Sequence, residues 1–231
     1  MEKIICTFDK PELEEFSHPD LLFAPLIRVA KLDYRLERSL DTYEWLFFTS
    51  KNAIRFFDRI HDGSFKGNIA VLGESTAKEL ELYGYKADFV GDGSSSVNMA
   101  KSLINIVVPG QKVLAVLGKI SSFNLQIAMG EKHRIDRVDV YDTHLESLQN
   151  KEIRQLILSD DYRLILAASP SAVRSLVLNF GGKEILWRVA CIGETTAQAC
   201  RSLGINPLMV STKQNFKTLL KEAMDFQIEN K

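Results

Sequence analysis

The sequence has few residues that bind metals or form disulfides. Its three cysteines are an odd number without metal-ligand spacing, and Cys6 and Cys191, each in an apolar run, are interpreted as small buried thiols. The four histidines have no metal-binding spacing either, and none stands with a cysteine or carboxylate cluster; they are His18, His61, His133 and His144. We therefore expect no metal site.

Charge of one sign and long apolar runs are also lacking. The 29 Lys and Arg residues against 30 Asp and Glu give a net charge of −1, with no basic tract to hold nucleic acid or an anionic membrane. No apolar stretch approaches the roughly 20 residues of a membrane helix. The apolar run at 1–9 is too short for a signal peptide. We expect a cytoplasmic protein without nucleic-acid or membrane partners.

Familiar catalytic and nucleotide-binding motifs are missing as well. There is no Gly-x-Ser-x-Gly elbow, and Gly118-Lys119 lacks the earlier glycine and the following Ser or Thr of a phosphate-binding loop. The run Gly91-Asp92-Gly93 lacks the third glycine of a dinucleotide loop and a carboxylate about 20 residues on. These absences argue against nucleotide binding.

What the sequence does contain is a long internal repeat. Residues 45–55 (WLFFTSKNAIR) are echoed by 163–174 (RLILAASPSAVR), and residues 69–77 (IAVLGESTA) by 189–197 (VACIGETTA). Ser50 and Ser169 are 119 positions apart, and Gly73 and Gly193 are 120 apart. Solenoid repeats are only 20–50 residues long. We infer two copies of one α/β domain with a cleft between them.

Short apolar runs alternate with amphipathic stretches, which predicts parallel sheets with helices on their faces. The predicted strands are 3–7, 22–27, 45–49, 68–72, 87–90, 112–117, 163–167, 188–192 and 207–210. The predicted helices are 51–60, 74–83, 95–106, 121–130, 147–158, 170–179, 194–203 and 214–226. Gly84 and Gly204 follow two corresponding helices, as glycines that end helices do.

The order of elements predicts a discontinuous arrangement of the two domains. The second copy lacks elements that follow the first copy, and residues 1–27 can supply them. We therefore expect domain one to comprise 1–30 and 144–231, and domain two 36–134. Residues 28–35 and 135–144 would cross between the domains as a two-stranded antiparallel β ladder, a hinge that permits domain motion.

Turns rich in hydroxyl groups follow the predicted strands. Each Ser or Thr there could simply cap a helix. Seven such turns at the carboxyl ends of parallel strands also suit a polyanion, because this edge binds ligands and helix N-termini attract anions. The candidate substrate-binding residues are Thr49, Ser50, Lys51, Gly73, Ser75, Thr76, Ser94, Ser95, Ser96, Gly118, Lys119, Ser169, Ser171, Gly193, Thr195 and Thr196.

These paired motifs resemble the uroporphyrinogen-III synthase family over nearly the whole chain. The resemblance lies in six stretches that follow one another in the same order as in the family. From the N-terminus they are Pro25-Leu26-Ile27, Phe48-Thr49-Ser50-x-Asn52-Ala53, Gly73-x-x-Thr76-Ala77, Val140-Tyr141-x-Thr143, Ala168-Ser169-Pro170-Ser171-Ala172 and Gly193-x-x-Thr196-Ala197. One departure is that the family usually has an arginine in the turn after strand 112–117, where this chain has Lys119.

The resemblance implies a cofactor-free lyase of tetrapyrrole synthesis and a fold of two α/β domains joined by a two-stranded ladder. The substrate would be hydroxymethylbilane, which loses water and closes with ring D inverted through a spiro intermediate. We expect a monomer that catalyses mainly by positioning its substrate, so that loss of one hydroxyl slows turnover only roughly tenfold. The alternative is a non-catalytic hinged module that binds another polyanion, such as a phosphosugar.

Tyr141 is the candidate catalytic residue. Alternation in 135–143 places it with Arg137, Asp139 and Thr143, opposite Val138 and Val140, and so facing away from the apolar surface. The resemblance favours a phenol that protonates the departing hydroxyl group. The alternative is a ring that packs between the domains.

Overall fold

A computed structural model describes residues 3–10, 16–93, 96–121, 133–181 and 183–226, without the side chains of 96 and 97. The chain divides into two compact units. The first unit comprises Met1–Arg28 and His144–Lys231, and the second comprises Val29–Thr143. Within the described ranges, no helix has the length and apolar character to cross a membrane.

The described residues form eleven strands and seven α-helices. The strands are β1 (Ile4–Cys6), β2 (Leu21–Phe23), β3 (Ile27–Lys31), β4 (Trp45–Phe48), β5 (Asn68–Val71), β6 (Phe89–Val90), β7 (Lys112–Gly118), β8 (Arg134–Leu145), β9 (Leu164–Ala167), β10 (Val189–Cys191) and β11 (Met209–Val210). The helices are α1 (Lys51–Phe56), α2 (Glu74–Glu81), α3 (Ser96–Leu103), α4 (Lys151–Leu158), α5 (Pro170–Asn179), α6 (Glu194–Ser202) and α7 (Phe216–Asp225). Two 3₁₀ turns lie at Leu40–Thr42 and Asp58–Ile60.

The second unit has a six-stranded sheet in the order β3-β8-β7-β4-β5-β6. The pairs from β8 to β6 are parallel. Successive residues of β4 enter different apolar clusters, Leu46 and Phe48 on one side and Trp45 and Phe47 on the other. Both faces of the sheet are therefore covered, as parallel sheets require.

The first unit has a five-stranded parallel sheet in the order β11-β10-β9-β1-β2. Its central strand β9 has no exposed residue and pairs with β1 on one side and β10 on the other. The N-terminal strands β1 and β2 occupy the positions that β7 and β8 occupy in the second unit.

The predicted α/β fold with parallel sheets is confirmed, and each predicted strand overlaps an observed one. Helix ends differ where capping residues determine them. The helix predicted at 147–158 starts at Lys151, because the Asn150 side chain accepts a hydrogen bond from the Ile153 N–H. Similarly, Asn215 caps the helix predicted at 214–226. The helix predicted at 51–60 ends at Phe56.

Both glycines predicted to end helices have the expected backbone conformation. Gly84 and Gly204 have φ of +79° and +77°, which is the left-handed conformation of helix-ending glycines. The helix predicted at 121–130 lies, from residue 122 on, outside the described residues. β3 is the neighbour of β8, and the Leu32 N–H donates to the Val140 carbonyl at 2.9 Å.

Candidate active site

The candidate site lies at the carboxyl ends of β4 and β7 in the second unit. These strands are neighbours, and the chain leaves β4 towards β5 on one side, while β7 leads to β8 on the other. Such a topological switch point leaves a crevice outside the carboxyl ends of the strands, where α/β proteins bind ligands. The turn after β4 carries Ser50, and β7 ends at Gly118.

Ser50 makes two hydrogen bonds at this edge. It is the N-cap of α1, and its hydroxyl oxygen accepts a bond from the Ala53 N–H at 3.1 Å. The same oxygen lies 3.0 Å from the phenol oxygen of Tyr141, and either group can donate. The capping interpretation of this hydroxyl is therefore correct, but capping leaves the hydroxyl proton available to Tyr141.

The half-buried ring of Tyr141 lies directly over Gly118. A β-carbon added to Gly118 would stand 2.5 Å from Cζ, 2.6 Å from Cε2 and 2.8 Å from the phenol oxygen. On another side the ring meets Phe56, with centroids 6.1 Å apart and planes at 37°. Burial raises the pKa of Tyr141 above its ordinary value, and the hydrogen bond from Ser50 offsets part of the rise.

The orientation predicted for Tyr141 is wrong. Its ring packs against the apolar cluster that contains Val138 and Val140, instead of facing away from it. The cause is an irregularity in strand register, because Leu117 pairs with Asp139 whereas Gly118 pairs with Tyr141. The additional residue in β8 is a bulge, which re-aims the side chain that follows.

An ion pair links the turn after β7 to β8. The Lys119 ammonium is 3.3 Å from the Asp142 carboxylate, and 62% of the Lys119 side chain is exposed. The Lys119 N–H also donates to the Tyr141 carbonyl at 2.9 Å. Lys119, which stands where the family usually has arginine, thus provides an accessible positive charge in the turn after β7.

The turn after β5 is built around glycines. Gly73 is the N-cap of α2 without a side-chain hydrogen bond, and a β-carbon there would lie 2.9 Å from Gly93 Cα. A β-carbon on Gly91 would lie 2.5 Å from the Leu72 carbonyl oxygen. These glycines serve close backbone packing. In this turn Ser75 is exposed and Thr76 is buried.

The corresponding turns of the first unit repeat this design. Ser169 caps α5 by accepting a hydrogen bond from the Ala172 N–H at 3.1 Å. Gly193 is the N-cap of α6, and a β-carbon on it would lie 2.9 Å from the Gln214 side chain. Thr195 is exposed, whereas Thr196 is buried, as is Ser171.

Within the second unit, the structure brings together part of the predicted set. Thr49, Ser50, Gly118, Lys119 and Tyr141 share the edge of β4, β7 and β8, where Lys51 is exposed at the start of α1. The buried hydroxyls Thr76, Thr196 and Ser171 are the least accessible to a ligand. Ser94 and Ser95 lie outside the described residues, as does the Ser96 side chain.

Three partners at this edge were not predicted from the sequence: the Phe56 ring, the Asp142 carboxylate and the direct bond between Ser50 and Tyr141. A bulge and a contact between residues 91 positions apart leave no local pattern in a sequence. Asp142 beside Tyr141 is the signal that could have been read. Among the described residues, no three His, Cys, Asp or Glu side chains form a group that could hold a metal ion.

Comparison with known proteins connects the chain to one family. Residues 12–221 match the family model described as uroporphyrinogen-III synthase HemD. The porphyrin biosynthesis protein HemD of Ruminiclostridium josui is 24% identical over 221 residues, which are 92% of this chain and 44% of that protein. The chain thus spans under half the length of that relative. The uroporphyrinogen-III synthase of Chlorobaculum parvum is 23% identical over 207 residues, covering 84% of this chain and 83% of that protein.

Solved structures show the same fold. The uroporphyrinogen-III synthetase of Helicobacter pylori 26695 superposes with a TM-score of 0.68 at 20% identity, over 98% of this chain and 100% of that one. A mutant uroporphyrinogen III synthase of Thermus thermophilus gives 0.60 at 15% identity, over 97% and 99%. Because the family model matches 12–221, most of the sequence, the chain belongs to the uroporphyrinogen-III synthase family.

Proposed function

We propose that the protein is a uroporphyrinogen-III synthase, which cyclises hydroxymethylbilane with loss of water and inversion of ring D. The observation that carries the proposal is the Tyr141 phenol, held 3.0 Å from Ser50 at the edge of β4 and β7. Family membership supplies the reaction, and this edge supplies a proton donor where α/β sheets bind ligands.

Tyr141 is proposed to protonate the departing hydroxyl group. Its raised pKa keeps the phenol protonated at neutral pH, and a positioned acid accelerates such a step by roughly 10²-fold or more. The C–O bond breaks with its electron pair on oxygen, and the phenol proton completes the water molecule. Since the overall reaction releases one water, the substrate itself loses one proton on ring closure. That proton restores the phenol.

The substrate carboxylates are proposed to be held by many separate contacts. The accessible candidates are the ammonium of Lys119 and the exposed hydroxyls of Ser75 and Thr195. Contacts spread over the turns suit a reaction in which the enzyme mainly has to fold a flexible chain. They also suit a protein of net charge −1, because local donors bind the anion without an excess of basic residues.

We propose that the two units are domains joined by an antiparallel ladder of residues 28–35 and 135–144. Two hydrogen bonds support this: Leu32 N–H to the Val140 carbonyl, and Glu146 N–H to the Leu26 carbonyl, both at 2.9 Å. Moving six residues forward from Leu26 to Leu32 moves the partner six residues back, from Glu146 to Val140. This register is the one that antiparallel strands have.

The experiment is to incubate the protein with freshly generated hydroxymethylbilane, oxidise the products and separate the porphyrin isomers. We expect the inverted isomer, at a rate well above that of spontaneous closure. The binding module that the sequence left open, which the family match does not favour, predicts only the symmetric isomer at the rate without enzyme.

The same assay tests Tyr141. Tyr141→Phe keeps the ring and removes only the proton, so turnover should fall on the order of 10²-fold while the circular dichroism spectrum is unchanged. The matched control is Tyr83→Phe, a half-buried tyrosine of the same unit whose ring stacks on His61 at 4.3 Å. If Tyr141→Phe turns over at the rate of the parent protein, another group donates the proton.

A further inference from the structure

The Ser50 hydroxyl has a second partner that helix capping does not require. A serine hydroxyl can donate one hydrogen bond and accept two. One acceptor position is used by the Ala53 N–H, and the phenol of Tyr141 lies 3.0 Å away. Once the phenol has given up its proton, the phenolate has none to donate, and Ser50 must be the donor in this pair.

We propose that Ser50 is a positioning residue that acts through Tyr141, because its hydroxyl donates a hydrogen bond to the phenolate. Gly118 is the second positioning residue, because its lack of a side chain leaves the space that the Tyr141 ring occupies. This inference rests on the proposed function, since it assigns the two residues to the proton-transfer step. It also replaces the prediction that Ser50 and Gly118 bind substrate directly.

Three residues confine the phenol of Tyr141, each from a different direction. Gly118 lies under the ring, and any β-carbon there would overlap Cζ and Cε2. Phe56 flanks the ring, and Ser50 is fixed at the phenol oxygen because its own oxygen is held by the backbone of α1. A proton donor confined in this way needs little rearrangement when the reaction occurs.

The internal repeat shows that capping alone does not explain the pair. Ser169 makes the same capping bond to the Ala172 N–H, at the same 3.1 Å. In the first unit, however, β2 occupies the position of β8, and its residues are Leu21, Leu22 and Phe23, which carry no hydroxyl group. Of these two corresponding strands, only the one in the second unit places a phenol beside the capping serine.

Each element that contributes to this site also carries charged residues. They are Lys51 and Arg55 on α1, Lys119 after β7, and Arg137, Asp139 and Asp142 on β8. Lys119 is paired with Asp142, and Arg137 with Asp139. The two causes that shift the pKa of Tyr141 are burial and the Ser50 hydrogen bond. Removing the Ser50 hydroxyl should therefore raise the pKa of Tyr141 further.

The first test is a double-mutant cycle on turnover, which isolates coupling between two residues. Ser50→Ala should lower kcat roughly tenfold, the effect of one hydrogen bond to a charged group, with little change in KM. In a Tyr141→Phe background, Ser50→Ala should lower kcat no further. Gly118→Ala should follow the same pattern. Independent, additive losses in the double variants, or a loss confined to KM, would overturn the proposal.

The matched control is Ser169→Ala, which removes the same kind of cap. Both serine variants should lower thermal stability to a similar extent. Only Ser50→Ala should be coupled to Tyr141→Phe and change the pH profile of kcat. Two further variants separate the hydroxyl proton from the cap. Ser50→Thr keeps both and should restore kcat. Ser50→Asp keeps the cap but has no proton to donate, so it should not restore kcat.

A spectroscopic test does not depend on activity. With 3-fluorotyrosine placed at position 141, the fluorine NMR signal reports ionisation of this one phenol. Its pKa should be similar in the parent protein and in Ser50→Thr, higher in Ser50→Ala, and highest in Ser50→Asp, because the carboxylate repels the phenolate. An unchanged pKa in Ser50→Ala would refute the contact, whereas failure to form the inverted isomer would refute the proposed function and leave this titration valid.

Discussion

The contact between Arg55 and Glu79 allows a stability prediction with an internal control. Arg55 of α1 donates two hydrogen bonds to the Glu79 carboxylate of α2, both at 2.7 Å. Glu79 is buried, at 6% exposure, whereas half of the Arg55 side chain is exposed. In the repeat, Arg174 corresponds to Arg55, but Ala199 stands where Glu79 would be.

The magnitude follows from this unequal burial. Breaking a fully buried pair by removing one partner costs about 3–5 kcal/mol, whereas an exposed pair is worth about 0–1 kcal/mol. Arg55→Ala leaves a buried carboxylate unpaired but near solvent, so we expect a loss of about 2 kcal/mol in the free energy of unfolding. Glu79→Ala removes the buried charge itself and reproduces the alanine of the repeat, so it should cost less. Arg174→Ala should cost least.

Urea unfolding followed by tryptophan fluorescence checks this order. The chain has two tryptophans, and Trp45 lies buried in the second unit. A Trp187→Phe background therefore reports Arg55→Ala and Glu79→Ala through Trp45. A Trp45→Phe background reports Arg174→Ala through Trp187, which lies in the same unit as Arg174. The reasoning is refuted if Arg55→Ala is no more destabilising than Arg174→Ala, or if Glu79→Ala is the most harmful of the three.

Two further predictions follow from burial and ion pairing in the second unit. Ser75→Ala should lower kcat/KM by up to roughly tenfold, which is more than Thr76→Ala should. Because Thr76 is buried, Thr76→Ala should mainly lower the melting temperature. A larger loss of kcat/KM in Thr76→Ala than in Ser75→Ala would contradict this assignment. Hydrogen bonds from Lys31 and Tyr34 lower the pKa of Asp58 below its ordinary value, so its stabilising effect is present at neutral pH and is lost as pH falls below about 4. The unfolding free energies of the parent and Asp58→Asn should therefore converge in acid, and a constant difference across pH would contradict this.

The parallel α/β architecture could be predicted because it depends on local patterns. Apolar runs such as 45–48 and 164–167 are buried throughout, and they are short and continuous in the sequence, as strands covered on both faces are. Helix starts were harder to predict when a capping asparagine lay inside the predicted helix, as Asn150 and Asn215 do. In each case a single side-chain hydrogen bond determined where the helix begins.

The candidate site could be predicted only in part, because its geometry depends on contacts distant in sequence. Alternation in β8 correctly placed Val138 and Val140 on one face, but Tyr141 follows a bulge that depends on the register with β7. Gly118 likewise matters because its lack of a side chain leaves room for the Tyr141 ring, 23 positions away in the sequence. Neither feature has a signature in a single segment.

The two copies of the repeat separate backbone requirements from chemistry. Positions that the copies share, such as Ser50 with Ser169 and Gly73 with Gly193, cap helices in both units. A residue kept in both copies is therefore explained first by the turn it builds. Tyr141 has no hydroxyl counterpart on β2, so the fold does not require its phenol. For this reason a functional role is better sought where the copies differ than where they agree.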